Sequence, residues 1–200
     1  MGLIRKALGG IKRFFVYYAV GGVLTGDMIA NEVKSGRIRI TEFDPESLNA
    51  NSYNIRLGDR VTIYRQVKVI DLHDKSTYEK TESFDLDKDG IVLRPGTVYL
   101  ISTKERIGSD FYEPIITGRS SIGRLGIAIH REAGFGDIGY YGQWTMHLTV
   151  TYPTRIYPND PIAQVYFLTP YGKIKELYHG KYQGSEGAVS SRWQGSKQDR

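Results

Sequence analysis

The chain has 200 residues, 40% of them apolar and 12% aromatic, which is enough for one domain with a hydrophobic core. Lys and Arg number 27 against 22 Asp and Glu, and the net charge of +5 favours a polyanionic partner, either nucleic acid or a nucleoside triphosphate. No cysteine is present. A disulfide scaffold and thiolate metal sites are therefore excluded, and so is the zinc-dependent class of nucleobase deaminases, which needs a P-C-x-x-C segment.

Residues 1–23 are predicted to be a basic amphipathic extension. Apolar residues at roughly helical spacing accompany basic pairs at 5–6 and 12–13. Such a segment is a surface helix, a membrane-touching helix or a docking arm, so residues 1–21 are a candidate for weak contact with a membrane or a protein. The apolar run over 14–24 is too short to span a bilayer and has no convincing signal-peptide cleavage site. We therefore expect a cytoplasmic protein.

A helix is predicted over residues 25–35. Thr25 or Asp27 can cap its N-terminus, and Gly36 stands just past its end. Residues 52–64 then alternate between apolar and polar positions, which is the pattern of a pair of strands.

The segments further along the chain favour β-structure. Residues 65–90 are polar with mixed charges and are predicted to be a loop or the tip of a hairpin. Strands are predicted over 97–102, 149–156 and 163–168, with a Pro-containing turn at 157–161 between the last two. Short strands separated by Gly and Pro indicate an all-β barrel or sandwich.

The most informative stretch covers residues 118–148. Arg119 offers a planar fork suited to phosphate, and Ser120 and Ser121 add short hydroxyl donors. The segments GRSSIGRLG and AGFGDIGYYG, with the spacing between them, resemble the signature of the dCTP deaminase/dUTPase family. Two further segments, SYNIRLG and GKYQGSEGAVSSR, resemble other segments of that family, so the resemblance covers about residues 24–192.

The resemblance implies an all-β fold, a distorted β-barrel or jelly-roll-like fold of the dUTPase type with a short N-terminal helix. It places a β domain at 24–177 and a flexible C-terminal tail at 178–200 that closes over bound nucleotide. It implies a homotrimer with active sites between subunits, and dCTP or dUTP as the ligand. Mg²⁺ is expected to bind through the phosphates, with no metal held by the protein, no zinc and no stable binding of nucleic acid.

The resemblance also implies the residues of the site. The expected triphosphate-binding residues are Arg119, Ser120, Ser121 and Lys181, with Tyr178 as a further candidate. Asp137 and Tyr140 match positions that hold the deoxyribose, and the backbone near Ala133 is expected to read the edge of the pyrimidine. Asp137 also matches the aspartate that positions the attacking water in dUTPases. The predicted catalytic residues are Ser120, Arg124, Asp137 and His147.

The largest departure from the family is His147, which lies ten residues after Asp137, where the deaminases carry a general-base glutamate. Neutral imidazole can take a proton from the water that attacks C4, but a histidine here is also readily a packed strand residue that has lost the catalytic role. Glu132 stands where Thr is expected and is either a replacement carboxylate or a solvent-facing residue. Ser185 replaces a Gln that contacts phosphate in the family, so we expect altered contacts with the triphosphate.

Three functions stay open from the sequence. The first is a zinc-free dCTP deaminase that makes dUTP, or dUMP if bifunctional, because the AGF spelling at 133–135 and Gly123 resemble the bifunctional members. The second is a dUTPase-type diphosphatase, which needs Asp137 and the phosphate-binding groups but not the glutamate. The third is a non-catalytic regulator that binds nucleotide without turnover.

Overall fold

The computed structural model describes residues 21–65, 67–129 and 133–193. Most of the extension predicted over 1–23 lies outside these ranges, and so does Glu132. No helix within them combines the length and the hydropathy that crossing a bilayer requires. The boundaries of the extension and of the tail stay predictions.

Helix α1, Gly26–Lys34, confirms the predicted N-terminal helix. Thr25 is its N-cap, and the Thr25 side-chain oxygen accepts a hydrogen bond from Met28 N at 3.4 Å. Gly36 follows the helix with a φ of 77°, which glycine adopts at little cost. Ile29 is completely buried in the core, so α1 packs its apolar face against the sheets.

The strands confirm the all-β prediction. They are β1 (Ile38–Ile40), β2 (Tyr53–Ile55), β3 (Leu57–Tyr64), β4 (Thr81–Asp85), β5 (Ile91–Leu93), β6 (Tyr99–Ser109), β7 (Glu113–Gly118), β8 (Ile127–Ala128), β9 (Tyr141–Val150), β10 (Thr154–Ile156) and β11 (Ala163–Leu168), with a short helix α2 (Ser120–Gly123) between β7 and β8. Within the described ranges they form three sheets, with orders β4-β3-β6-β9-β8 plus β1 on β6, β2-β11-β7, and β10-β5. The fold is jelly-roll-like, and these sheets do not close into a single barrel.

Residues 52–64 form two strands, as predicted, and these strands pair with other partners rather than with each other. β2 pairs with β11, whereas β3 pairs with β4 and β6. Arg56 stands between them, and its backbone N–H and Nε donate to the two carboxylate oxygens of Glu105 at 3.1 and 2.6 Å. Because the Glu105 side chain is completely buried, this ion pair fixes the corner at which the chain passes from one sheet to the other.

The strand predicted over 149–156 is also corrected, because two strands occupy it. β9 ends at Val150, where Thr151 N turns to donate to Gly126 O at 2.8 Å, and β10 begins at Thr154. Pro153 lies in the gap and has no N–H to continue a ladder.

Residues 65–90 contain a hairpin tip, one of the two predicted alternatives, but residues 81–85 are strand β4 and not part of the tip. β3 and β4 pair antiparallel from Arg60 opposite Asp85 to Tyr64 opposite Thr81, so residues 65–80 form the tip.

β9 organises the interior. Its even-numbered residues are buried, and the core residues among them are Trp144, Met146, Leu148 and Val150. Trp144 Nε1 donates to Ile107 O at 3.1 Å, which pairs the indole N–H inside the core. The alternation of a strand therefore places the odd-numbered residues, Gln143, Thr145 and His147, together on the opposite, half-buried face.

Candidate active site

The half-buried face of β9 and the tail that crosses it enclose a cavity of about 510 Å³. The predicted site residues that line it are Ala133, Asp137, Tyr140, His147 and Tyr178. An adjoining cavity of about 1260 Å³ is lined by Asp137, Tyr178 and Lys181. Asp137 and Tyr178 belong to both cavities, so they lie where the two meet.

Two glycines fix the loop that carries Asp137. A Cβ on Gly136 would lie 1.9 Å from the Trp144 side chain, so only glycine fits there. Gly139 has a φ of 95°, and a Cβ on it would lie 2.6 Å from Leu177 Cβ. Between them Asp137 is exposed, which leaves its carboxylate accessible to a ligand on a constrained backbone.

Tyr140 forms a rigid aromatic wall beside Asp137. Its hydroxyl donates to Gln143 O at 2.7 Å, and its ring packs edge-on against Trp144 and Tyr178 at centroid distances of 5.2 and 5.8 Å. Burial raises the pKa of Tyr140 to about 12, so the phenol stays neutral. A neutral ring held on three sides suits the packing role against a deoxyribose.

His147 lies on β9 opposite Leu100 of β6, and its backbone N–H donates to Ile129 O at 3.0 Å. Burial lowers the pKa of the imidazole below its usual value, because the charged form loses hydration in the half-buried site. The ring is therefore neutral at pH 7, the state in which a histidine can accept a proton.

The tail brings Lys181 and Ser185 over these cavities. Lys181 Nζ and Arg192 Cζ each lie 5.6 Å from the centroid of the Tyr182 ring. Ser185 is buried, and its Oγ donates to Tyr182 O at 2.7 Å. The Ser185 hydroxyl therefore stabilises the turn of the tail, and contacting a phosphate would require this bond to break.

The other predicted half of the site lies apart from these cavities. Arg119, Ser120, Ser121 and Arg124 line neither of the two. Arg119 precedes α2, and its Nη1 donates to Pro161 O at 2.6 Å, while both serines and Arg124 are exposed. The chain then enters β8, which pairs with the C-terminal end of β9, whereas Asp137 precedes the N-terminal end of β9.

A family model described as dCTP deaminase-like matches residues 23–169. The chain belongs to the dCTP deaminase-like family. It is 38% identical over 169 residues to a protein named "dCTP deaminase, dUMP-forming" from Clostridium beijerinckii, across 84% of this chain and 95% of that protein. A protein of the same name from Leptospira biflexa is also 38% identical over 169 residues, across 84% of this chain and 94% of its own length. The protein is therefore a hydrolase of nucleotide metabolism.

A solved structure supports the fold of this family member. The 2′-deoxycytidine 5′-triphosphate deaminase from Agrobacterium tumefaciens superposes with a TM-score of 0.60 at 20% identity. The match covers 75% of this chain and 49% of that one, so this chain corresponds to about half of the Agrobacterium protein.

The sequence prediction missed three residues that shape the first cavity. Gln143, Thr145 and Tyr64 line it, and each accepts a hydrogen bond from a backbone N–H of the tail. The signal for the first two was available, because Gln143 and Thr145 lie four and two residues before His147 and share its face of β9. Tyr64 had no such signal, because its position at the cavity depends on the pairing of β3 with β6.

The residues around the larger cavity are compatible with Mg²⁺ that arrives with a triphosphate. Glu113, Asp137 and Glu176 line the cavity, together with Lys175 and Lys181. Among the described residues, no group of three or more His, Asp and Glu is arranged to hold a metal ion. Phosphate oxygens and water are ligands that Mg²⁺ accepts readily.

Proposed function

We propose that the protein deaminates dCTP without thiolate-bound zinc and hydrolyses the resulting dUTP to dUMP. The observation that carries this proposal is that His147 lines the same cavity as Asp137, Tyr140 and Ala133, although it replaces the glutamate of the family. The names of the Clostridium and Leptospira relatives support the same pair of reactions.

In the deamination step, neutral His147 is the general base. It takes a proton from water as the water oxygen bonds to C4 of the cytosine. The C4–N bond then breaks, and the amino group leaves as ammonia after receiving a proton. General-base assistance of this kind contributes roughly 10²–10⁴ in rate. The lowered pKa of His147 keeps the base in its working form at neutral pH.

In the hydrolysis step, Asp137 positions a water molecule for attack on the α-phosphorus. The bond from that phosphorus to the bridging oxygen breaks, and pyrophosphate leaves with dUMP as the other product. Two observations support this role. Asp137 is exposed on a constrained loop, and it lines both cavities. Lys181 lines the larger cavity and would contact phosphate as a point charge. Mg²⁺ bound with the triphosphate would neutralise part of the phosphate charge.

The site is proposed to be completed between subunits of a homotrimer. Arg119, Ser120 and Ser121 would reach the phosphates of a nucleotide held in the cavities of a neighbouring copy, with Arg124 near the reacting atoms. The support is that these residues line neither cavity of their own chain. Sedimentation that shows a monomer with full turnover would contradict this arrangement.

One assay tests the reaction. Purified protein is incubated with dCTP or dUTP, and ammonia and pyrophosphate are measured separately. The proposal expects both products from dCTP and pyrophosphate alone from dUTP. Ammonia without pyrophosphate from dCTP would leave a deaminase that stops at dUTP.

A dUTPase-type diphosphatase is the second candidate, and the position of Asp137 at both cavities favours it independently of His147. Pyrophosphate from dUTP with no ammonia from dCTP would select it. Tight binding of either nucleotide with no release of product would select the non-catalytic regulator instead.

A further inference from the structure

The last described residues of the tail lie in an extended path across the half-buried face of β9. Three backbone N–H groups, spaced two residues apart, donate to side chains of the sheet. Gly187 N donates to Gln143 Oε1 at 2.7 Å, and Val189 N donates to Thr145 Oγ1 at 2.9 Å. Ser191 N donates to the Tyr64 hydroxyl at 2.8 Å. The sheet therefore holds the tail through the tail backbone.

This path ends at Trp193, which contacts the tip of the β3–β4 hairpin. Trp193 Nε1 donates to Leu72 O at 3.1 Å, and the Tyr78 hydroxyl donates to Trp193 O at 3.3 Å. Tyr78 is only 6% exposed, so its position is fixed by packing. Trp193 is thus bonded to the hairpin through both its side chain and its backbone.

The hairpin tip is itself ordered by local hydrogen bonds. Asp74 accepts from Ser76 N at 3.0 Å and caps the short 3₁₀ helix Lys75–Thr77. The Thr77 hydroxyl oxygen accepts from Asp71 N at 3.0 Å. Because these bonds close the loop around Leu72, the carbonyl that receives Trp193 has a defined position.

The tail is held at a second point before the cavity. Gln183 Oε1 accepts from Tyr141 N at 2.9 Å, and Gln183 Nε2 donates to Gly139 O at 2.8 Å. Four tail residues that line the His147 cavity, Ser185, Val189, Ser190 and Ser191, lie between Gln183 and Trp193. A Gly- and Ser-rich segment fixed at both ends has fewer conformations to lose when it orders over a ligand.

We propose that Trp193 is a positioning residue, and that with Leu72 and Tyr78 of the β3–β4 hairpin it forms the distal anchor that holds the tail across the cavity. Without this anchor, the segment after Gln183 becomes more mobile, most strongly next to Trp193 and progressively less toward Gln183. The effect on kinetics rests on the proposed function, whereas the effect on the position of the tail does not.

Hydrogen–deuterium exchange of the full-length protein without nucleotide tests the anchor directly. In Trp193→Ala, we expect exchange of the Ser191 amide to accelerate by about tenfold, with a smaller increase at Val189 and the smallest at Gly187. Trp193→Phe keeps an aromatic ring but loses the N–H that donates to Leu72, so its increase should be intermediate. Tyr171→Ala is the matched control, because Tyr171 is a fully exposed aromatic residue, and it should leave all three amides unchanged.

Steady-state kinetics provide the second measurement. Trp193→Ala should raise the KM for the nucleotide by roughly threefold to tenfold and change kcat less, because the anchor acts on the bound ligand through the tail. Tyr78→Phe should shift KM in the same direction by a smaller factor. Unchanged exchange at Ser191 in Trp193→Ala would overturn the anchor, whatever the kinetics show. Faster exchange in a protein that turns over no nucleotide would support the anchor and contradict the proposed function instead.

Discussion

The two halves of the predicted site differ in how far the rest of the chain covers them. The half beside β9 has Asp137 and Tyr140 just before the strand and His147 on it. It is walled by aromatic residues and covered by the tail of the same chain. The half around α2 has Ser120, Ser121 and Arg124 exposed to solvent. Both come from one stretch of about thirty residues, so proximity in sequence does not predict which surface a residue faces. This contrast is the basis of the proposal that the half around α2 serves the cavities of a second copy of the chain.

The largest effect is expected from mixing two inactive variants, one in each half of the site, which tests whether the halves come from different subunits. Arg119→Ala removes a phosphate-binding fork and Asp137→Asn removes the carboxylate of the other half, and each should lower kcat/KM by roughly 10²–10³-fold. If the halves come from different subunits of a ring, co-expressing the two variants in equal amounts should recover about a quarter of the sites. The measurement is pyrophosphate release by the mixed oligomer. No recovery above the single variants would mean that both residues act within one chain.

Replacing His147, the proposed general base on β9, should have the next largest effect. His147→Ala should lower ammonia release from dCTP by roughly 10²-fold or more, because it removes the general base. His147→Glu should keep or increase the rate, because it restores the residue of the family. Pyrophosphate release from dUTP serves as the control and should change little in both variants. If Glu132 is the base instead, Glu132→Gln should abolish ammonia release while His147→Ala leaves it nearly intact.

The pH dependence of deamination tests the role of His147 in the half beside β9. Only neutral His147 can accept a proton, so deamination should rise with pH and level off once the imidazole is neutral. Burial lowers the pKa of His147, so this limb should lie below the reference value of about 6.5. The same lowered pKa means that the unfolded chain binds the proton more tightly, so stability falls as the pH drops below about 6.5. The deamination rate and the free energy of unfolding in urea are measured against pH for the wild type and for His147→Ala. The rise of the rate with pH and the loss of stability at low pH should both appear in the wild type only.

The smallest effect is expected at the rim of the tail. Glu186 pairs with Arg106 of β6, but the Glu186 side chain is 76% exposed. Exposed pairs contribute roughly 0–1 kcal/mol and many contribute nothing measurable, so Glu186→Gln should change the KM for nucleotide by less than about threefold. Nucleotide titration at low and high salt measures this. A shift as large as that of Trp193→Ala would mean that charge at the rim, rather than the hairpin, positions the tail.

The sequence by itself determined the elements whose signals are local. Thr25 and Gly36 marked the ends of α1, and the strand over 163–168 was predicted to the residue. The segment around Asp137 was recognisable through its resemblance to the family signature, and the structure supplies the reason for two of its glycines, because a Cβ would collide at Gly136 and Gly139 has a positive φ. These features depend on side chains and backbone within a few residues, so a single sequence carries them.

Only the tertiary structure decided which residues meet across the chain. The composition of the tail is typical of disorder, yet its order comes from acceptors on Gln143, Thr145 and Tyr64, the first two of them 44 residues away in sequence. The division of the site likewise follows from strand pairing, because β8 ties the region after α2 to one end of β9 while Asp137 lies before the other. Pairing between distant strands depends on the packing of the whole core, because the pattern within one strand fixes which face is buried but not which strand is its partner.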